Sequence, residues 1–244
     1  MKKYALNTKI HCLFLVSLLL IACSFSDPEE YSNTPGVILA FDDASFNDWR
    51  AHFDLFDKYD ARVVFFISHT SNVNSFMLEA QERGHEVAFH TLTHPDLRTV
   101  SREQFFEETI SRIDTFREGG VELNSFAYPF GAYHQWMHEE LLKHYNIVRT
   151  TGGLRRYTKE ALRFGVVHSA GIDNIAFRSE ERFRNFINTA FAQARHFGTI
   201  TVLHTHRIQP GVHHDWSITP ERLEFVLQAA QEHGLTFYTF KCFQ

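Results

Sequence analysis

Cysteine is too scarce in this chain to staple it. Three occur in 244 residues, at Cys12, Cys23 and Cys242, which excludes a disulfide scaffold and leaves folding to a hydrophobic core. Internal repeats and low-complexity tracts are absent, which excludes solenoids and arrays. No apolar run is long enough to span a bilayer comfortably, the longest being 12–22. Basic charge is in deficit, 24 Lys and Arg against 29 Asp and Glu, so nucleic acid is excluded as a partner. What is present is apolar and aromatic material, 44% and 15% of residues, enough for one domain with a sizeable core.

The N-terminus has its own logic. Lys2, Lys3 and Lys9 precede the apolar run, the pattern of a secretion signal. It ends Leu20-Ile21-Ala22-Cys23, which resembles the bacterial lipobox, where cleavage precedes a cysteine that is then acylated. Residues 1–22 are therefore expected to be a lipoprotein signal peptide, with Cys23 the lipidation site. The polar segment 23–36, with two prolines and no periodicity, reads as a flexible tether. Residues 37–244 form the domain. Loss of the three lysines leaves 21 basic against 29 acidic side chains, a net charge of -8. Cys242 then stands alone, and no intramolecular disulfide is possible.

From Val37 the chain alternates short β-rich runs with segments of helical period. The runs VILAF (37–41), RVVFFI (62–67), EVAFH (86–90), NSFAY (124–128), NIVRT (146–150), FGVVH (164–168), TITVLH (199–204) and LTFYTF (235–240) are predicted strands. Several are apolar throughout, as parallel strands covered on both faces tend to be. Ser101 with Gln104 forms a capping-box pattern opening a helix that Gly119-Gly120 closes. Further helices are expected over 180–195 and 220–233, the second with Thr219 as N-cap and Pro220 at its first position. Such alternation predicts an α/β fold, a (β/α) barrel or a doubly wound sheet.

In either architecture functional groups gather at the C-terminal ends of strands. Asp42 and Asp43 follow the first run, His90 ends the third and begins His90-Thr91-Leu92-Thr93-His94, Tyr128-Pro129-Phe130-Gly131 follows the fourth, and His204 ends the seventh. Two imidazoles four residues apart share one face of a helical turn and can share a metal. A second such pair, His134 and His138, has no carboxylate-rich strand end beside it and reads as surface histidines on a helix. Two imidazoles and one carboxylate make a facial ligand set for a divalent ion.

The segments LAFDDAS, HTLTH, AYPFG and TVLHTH resemble motifs one, two, three and five of the NodB-homology polysaccharide deacetylases, carbohydrate esterase family 4, over residues 37–240. The resemblance implies a distorted (β/α) barrel of about seven strands. It implies a metal-dependent hydrolase, with zinc first and cobalt, nickel or manganese as alternatives, that removes N-acetyl groups from a GlcNAc-type polysaccharide of the cell envelope or outside it. Carried over by motif position, Asp43, His90 and His94 bind the metal, Asp42 is the general base, His204 the general acid, and the Phe130 backbone N–H the oxyanion donor. Tyr128 and Pro129 would contact substrate, and so would Trp216, from the polar loop GVHHDWSITP. Many relatives carry an arginine two residues before the motif-three proline, where this chain has Ala127. The Ala-Tyr-Pro pattern looks like the branch acting on poly-N-acetylglucosamine. Arg163 is a possible replacement for the missing cation, and Asp173 the nearest counterpart of the motif-four orienting Asp. The alternatives are an O-acetyl esterase on xylan-like glycans and a non-catalytic sugar-binding lipoprotein of the same fold. The chain is expected to be a monomer, secreted across the inner membrane and lipid-anchored in the bacterial envelope.

Overall fold

The computed structural model describes residues 34–211 and 214–244; Cys23 and the expected signal and tether up to residue 33 lie outside them. Eight strands come first in chain order: β1 (Gly36–Asp43), β2 (Val64–Ile67), β3 (Glu86–Phe89), β4 (Ser125–Ala127), β5 (Ile147–Thr151), β6 (Arg156–Tyr157), β7 (Gly165–Gly171) and β8 (Ile200–Thr205). All but β6 run parallel, and β8 pairs back onto β1 from Gly36↔Ile200 to Phe41↔Thr205. Seven parallel strands thus close a barrel, as the resemblance implies. Among the described residues eight α-helices accompany it: α1 (Phe46–Arg50), α2 (Phe53–Lys58), α3 (Ser75–Glu82), α4 (Arg102–Thr109), α5 (Ile113–Glu118), α6 (Gln135–Leu141), α7 (Glu180–Phe197) and α8 (Pro220–Glu232). No helix among the described residues is long and apolar enough to cross a membrane.

The apolar strands are explained by the two cores they separate. Side chains alternate across a strand, so Val37, Leu39 and Phe41 pack outward against the helices, while Ile38 and Ala40 pack inward with Val64, Phe66 and Val202. Both sets are fully buried. The same alternation aims Asp42 inward at the top of β1.

The barrel is distorted where β7 meets β8. These strands pair only at Ala170↔Leu203 and Gly171↔His204, because the lower part of β8 takes β6 antiparallel, with Arg156 opposite Thr201 and Tyr157 opposite Ile200. The Tyr157 hydroxyl spans the gap. It accepts from the His168 N–H at 2.6 Å and lies 3.2 Å from the His168 carbonyl, standing in for a neighbouring strand.

Two sequence expectations change in detail. The helix opened by Ser101 has its capping box but breaks after Thr109 and resumes at Ile113, giving α4 and α5 where one was expected. Arg112 caps the second piece without a side-chain hydrogen bond. The last run forms only β11 (Thr236–Phe237), after β9 (Arg207–Ile208) and β10 (Ser217–Ile218), which pair with each other. Beyond β11 the chain leaves the sheet, and Tyr238 and Phe240 join the inner core at the barrel floor.

The outer core holds one buried base. His85 is 4% exposed and ringed by Phe53, Phe56 and Phe65, with centroids 5.3 to 5.6 Å away. Its Nδ1 accepts from the Val63 N–H at 3.2 Å, and its Nε2 has no partner among the described residues. Burial, reinforced by Arg62, pushes its pKa down to about 4. The neutral ring belongs to the folded state, so below pH 6.5 the unfolded chain binds the extra proton and stability falls until about pH 4. His85→Gln is expected to remove up to about 3 kcal/mol of this acid-side loss, measured as a smaller drop in urea midpoint between pH 7 and pH 4.5 than in the parent.

Candidate active site

The barrel alternation brings charged and polar groups to one mouth. Asp42 at the top of β1, His90 just beyond β3, Arg149 on β5, Ser169 on β7 and His204 on β8 all line one cavity of about 730 Å³. Asp43, His94, Phe130, His206 and Trp216 complete its rim. The cavity lies where the strands end, as the fold class dictates.

The buried centre is an ion pair. Arg149, 1% exposed, places Nη2 2.5 Å from Asp42 Oδ2 and Nη1 3.3 Å from Ser169 Oγ, with its guanidinium 4.9 Å from the centre of the Phe66 ring. Burial alone would raise the Asp42 pKa. Arg149, supported by His90, His204 and His206, outweighs it and holds the carboxyl well below the usual range. Asp42 Oδ1 has no partner among the described residues. One oxygen is therefore clamped and the other left to take a proton.

Asp43 faces elsewhere, although strand alternation alone would turn it outward. Its φ of 86° turns the chain at the end of β1. Asp43 Oδ1 lies 3.2 Å from His94 Nε2 and 3.7 Å from His90 Nε2. The three donor atoms sit within 4.8 Å of one another, and Asp43 Oδ1 has no hydrogen-bond partner among the described residues. His90 Nδ1 lies 2.8 Å from the Ala127 carbonyl, so it carries the proton and leaves the Nε2 lone pair facing Asp43. Burial keeps His90 neutral, its pKa pushed down to about 4. An orphaned carboxylate oxygen and two neutral imidazoles fit a divalent ion.

The segment His90 to His94 is a loop where a helical turn was expected. Thr91 and His94 have φ of 71° and 60°, and the Thr91 hydroxyl accepts from the His94 N–H at 3.0 Å. Glu108 on α4 clamps this loop from outside, accepting the Thr93 N–H at 2.8 Å and the Thr93 hydroxyl at 2.7 Å. Of the six non-glycine residues with positive φ among the described residues, Asp43, His69, Thr91, His94 and Phe130 are at or beside this mouth, where backbone strain tends to be kept. Gly131 has φ of 65°, and a Cβ there would meet Thr151 Oγ1 at 2.1 Å, so only glycine fits.

Two histidines flank the centre in different states. His204 is buried, with Nδ1 2.8 Å from Ser169 Oγ; burial, with Arg149 nearby, pushes its pKa down to about 4. His206 places Nδ1 2.8 Å from Asp173 Oδ2. Burial opposes charge there, but the Asp173 hydrogen bond and charge prevail and raise its pKa to about 9. Asp173 is buried and also accepts the Thr205 hydroxyl at 2.7 Å and the His206 N–H at 3.2 Å. Of these two histidines, His206 is thus the cationic one, alongside the guanidinium groups of Arg149 and Arg207 that also line the cavity.

Several expectations are corrected. Arg163 is exposed and precedes β7, at the opposite end of the barrel, so the cation on Asp42 is Arg149 instead. The signal was legible: NIVRT is an apolar strand with one charge, and Ile147 inward places Arg149 inward. Tyr128 and Pro129 are buried; Tyr128 packs on Phe126 and Tyr133, with its hydroxyl 3.0 Å from His138 Nδ1, although it borders the cavity. His138 is accordingly buried, where a surface histidine was expected, while His134 is exposed. Phe130 and Trp216 are 67% and 58% exposed, Phe130 with its ring 4.8 Å from that of His94 and Trp216 with its ring 5.4 Å from that of His206.

A closed barrel of seven parallel strands, with an Asp-His-His cluster and a clamped carboxylate at its C-terminal mouth, defines the class of (β/α)-barrel deacetylases. The family model for polysaccharide deacetylase matches residues 30–150, which hold the Asp doublet, both histidines of the cluster and Arg149. The chain belongs to this polysaccharide deacetylase family, carbohydrate esterase family 4. Among curated proteins, none matches the sequence. Solved structures share the fold. The chitin deacetylase of Colletotrichum lindemuthianum is 17% identical, covering 85% of this chain and 87% of its own, with TM-score 0.59. The family 4 carbohydrate esterase of Streptomyces lividans is 16% identical, covering 84% and 92%, with TM-score 0.60. Peptidoglycan deacetylase PdaC of Bacillus subtilis is 14% identical, covering 87% and 91%, with TM-score 0.59.

Breaking a buried ion pair by removing one partner costs about 3 kcal/mol or more. Arg149→Met is expected to lower the unfolding free energy by about that amount, and Asp42→Asn/Arg149→Met by less than the sum of the two single variants. Urea denaturation of the four proteins, read as a double-mutant cycle, measures this coupling.

Proposed function

We propose that this chain is a metal-dependent hydrolase that removes N-acetyl groups from a GlcNAc-type polysaccharide of the cell envelope. The observation that carries the reading is the division of the Asp doublet, with Asp42 on Arg149 and Asp43 facing two neutral imidazoles. Asp43, His90 and His94 would hold the ion, with zinc first by donor type. Such an ion supplies Lewis acidity toward the acetyl carbonyl and a nucleophilic water.

The protein's own groups do the rest. Asp42, kept ionised by Arg149, accepts the proton of the attacking water through the unpartnered Oδ1. The family resemblance gives the developing oxyanion to the backbone N–H of Phe130. An amine is a poor leaving group, so the departing sugar nitrogen must be protonated. The family resemblance gives that role to His204. His206 suits it better, because Asp173 fixes its Nδ1 and keeps the ring cationic at neutral pH, whereas His204 is buried neutral beside Ser169. Trp216 and Phe130 offer exposed rings to sugar faces.

The structural neighbours named for chitin and peptidoglycan support an N-acetylated glycan, and AYPFG supports the poly-N-acetylglucosamine branch. Cys23 would carry the lipid that keeps the enzyme in the envelope. Acetate release from poly-N-acetylglucosamine, chitin oligomers, peptidoglycan and acetylxylan tests the substrate class. Release from the first three and none from acetylxylan is expected, and the reverse would favour the esterase.

The acid assignment has a separate test. His206→Gln is expected to slow amide hydrolysis by about 100-fold or more, while hydrolysis of 4-nitrophenyl acetate, whose leaving group needs no proton, falls far less. The same selective loss in His204→Gln, with His206→Gln unaffected, would return the role to His204.

A further inference from the structure

The end of the barrel opposite the pocket, where the parallel strands begin, differs in character from the rest of this acidic protein. β6 lies there, beside the first residues of β8. Arg155, Arg156 and Arg163 are exposed around it, with Arg195 near the end of α7 and Lys241 beyond β11. Surface arginines elsewhere are mostly neutralised, as in Arg50 with Glu79, Arg83 with Asp57, Arg98 with Asp96 and Arg184 with Glu180. Arg155 and Arg163 form no ion pair among the described residues, and Arg156 donates to the neutral Gln193. Arg195 donates to the His233 carbonyl. Glu160 lies within the cluster, its pKa lowered by its own backbone N–H and the Thr158 hydroxyl and further by Arg163 and Lys159, and the buried Glu86 accepts the Lys241 backbone N–H at 2.9 Å.

Two large apolar side chains share this end. Phe164, just before β7, is 58% exposed, and Phe197, just before β8, is 55% exposed with the Arg156 guanidinium 4.3 Å from its ring centre. Neither covers the core. The chain also enters the domain here, since the Gly36 N–H donates to the Thr199 carbonyl and the Tyr238 hydroxyl lies 3.5 Å from the Thr34 carbonyl. Everything before Thr34 therefore joins the barrel at this face.

We propose that this end of the barrel docks on an anionic lipid bilayer, with the arginines over the headgroups and Phe164 and Phe197 at the interface. Interfacial surfaces combine basic charge with aromatic and apolar side chains in this way, and a basic patch on a chain with net charge -5 is complementary to an anionic surface. The catalytic mouth then faces away from the membrane, toward glycan. The proposal goes beyond the reading of the active site and stands whether or not Cys23 is acylated.

The test uses the chain from Ser24 onward, which holds every strand and helix of the barrel and both cores, in flotation with phosphatidylglycerol or phosphatidylcholine vesicles. Binding to the anionic vesicles alone, weakened by salt, is expected. Arg155→Glu/Arg163→Glu should lower that binding by about tenfold or more, and Phe164→Ser/Phe197→Ser should also lower it, while Arg102→Glu/Arg112→Glu on another face should not. Circular dichroism melting establishes that each variant is folded. Equal binding to neutral vesicles, no loss in Arg155→Glu/Arg163→Glu, or equal loss in Arg102→Glu/Arg112→Glu would overturn the proposal. So would capture by soluble dextran sulfate without flotation, which would mark a polyanion site.

Discussion

The buried contact between Asp42 and Arg149 is the constraint on which the site depends. A carboxylate facing the interior of an apolar barrel would be neutral without a cation, and a guanidinium there would be intolerable without an anion. Each makes the other possible. The pair also gives two adjacent carboxylates separate roles. Arg149 commits Asp42 to the barrel axis, while the left-handed turn at Asp43 swings the next carboxylate toward His90 and His94. Like charges side by side in sequence become distinct in environment, which is how neighbouring acids acquire different chemistry.

The scaffold holds these groups through ordinary packing. Inner residues below the site are small or apolar, Ala40, Ala88 and Ala127 among them, leaving room for the Arg149 side chain over Phe66. Above it the loops are strained and braced. Glu108 grips Thr93, Thr91 grips the His94 backbone, and Asp173 takes three hydrogen bonds from Thr205 and His206. Such bracing keeps donor atoms in place in the absence of a ligand, the property called preorganisation.

Much of this was legible from sequence because period and position carry it. Every barrel strand except the inserted β6 overlaps a run picked out by β-rich apolar residues, and the strand-end rule located Asp42, His90 and His204. The failures have physical reasons. Arg149 escapes a reading by sequence because a charge inside an apolar run points at Asp42 only once the inward alternation that Ile147 sets is carried through to it. The HTLTH loop looked like a helical turn because spacing alone does not encode left-handed φ at Thr91 and His94. His138 looked like a surface residue because its partner, the Tyr128 hydroxyl, comes from the preceding strand end, and contact between elements leaves no local pattern. The different states of the two histidines in TVLHTH leave no local pattern for the same reason: only the fold shows that Asp173 reaches His206 and Ser169 reaches His204.

The central claim is that the two carboxylates of the doublet act separately. Calorimetric titration of zinc into Asp42→Asn and Asp43→Asn, each with its acetate-release rate, tests it most directly. The account predicts that Asp42→Asn binds zinc within about threefold of the parent yet loses turnover by a factor on the order of a hundred or more, whereas Asp43→Asn loses zinc affinity and turnover together. Comparable loss of zinc affinity in both variants would contradict it.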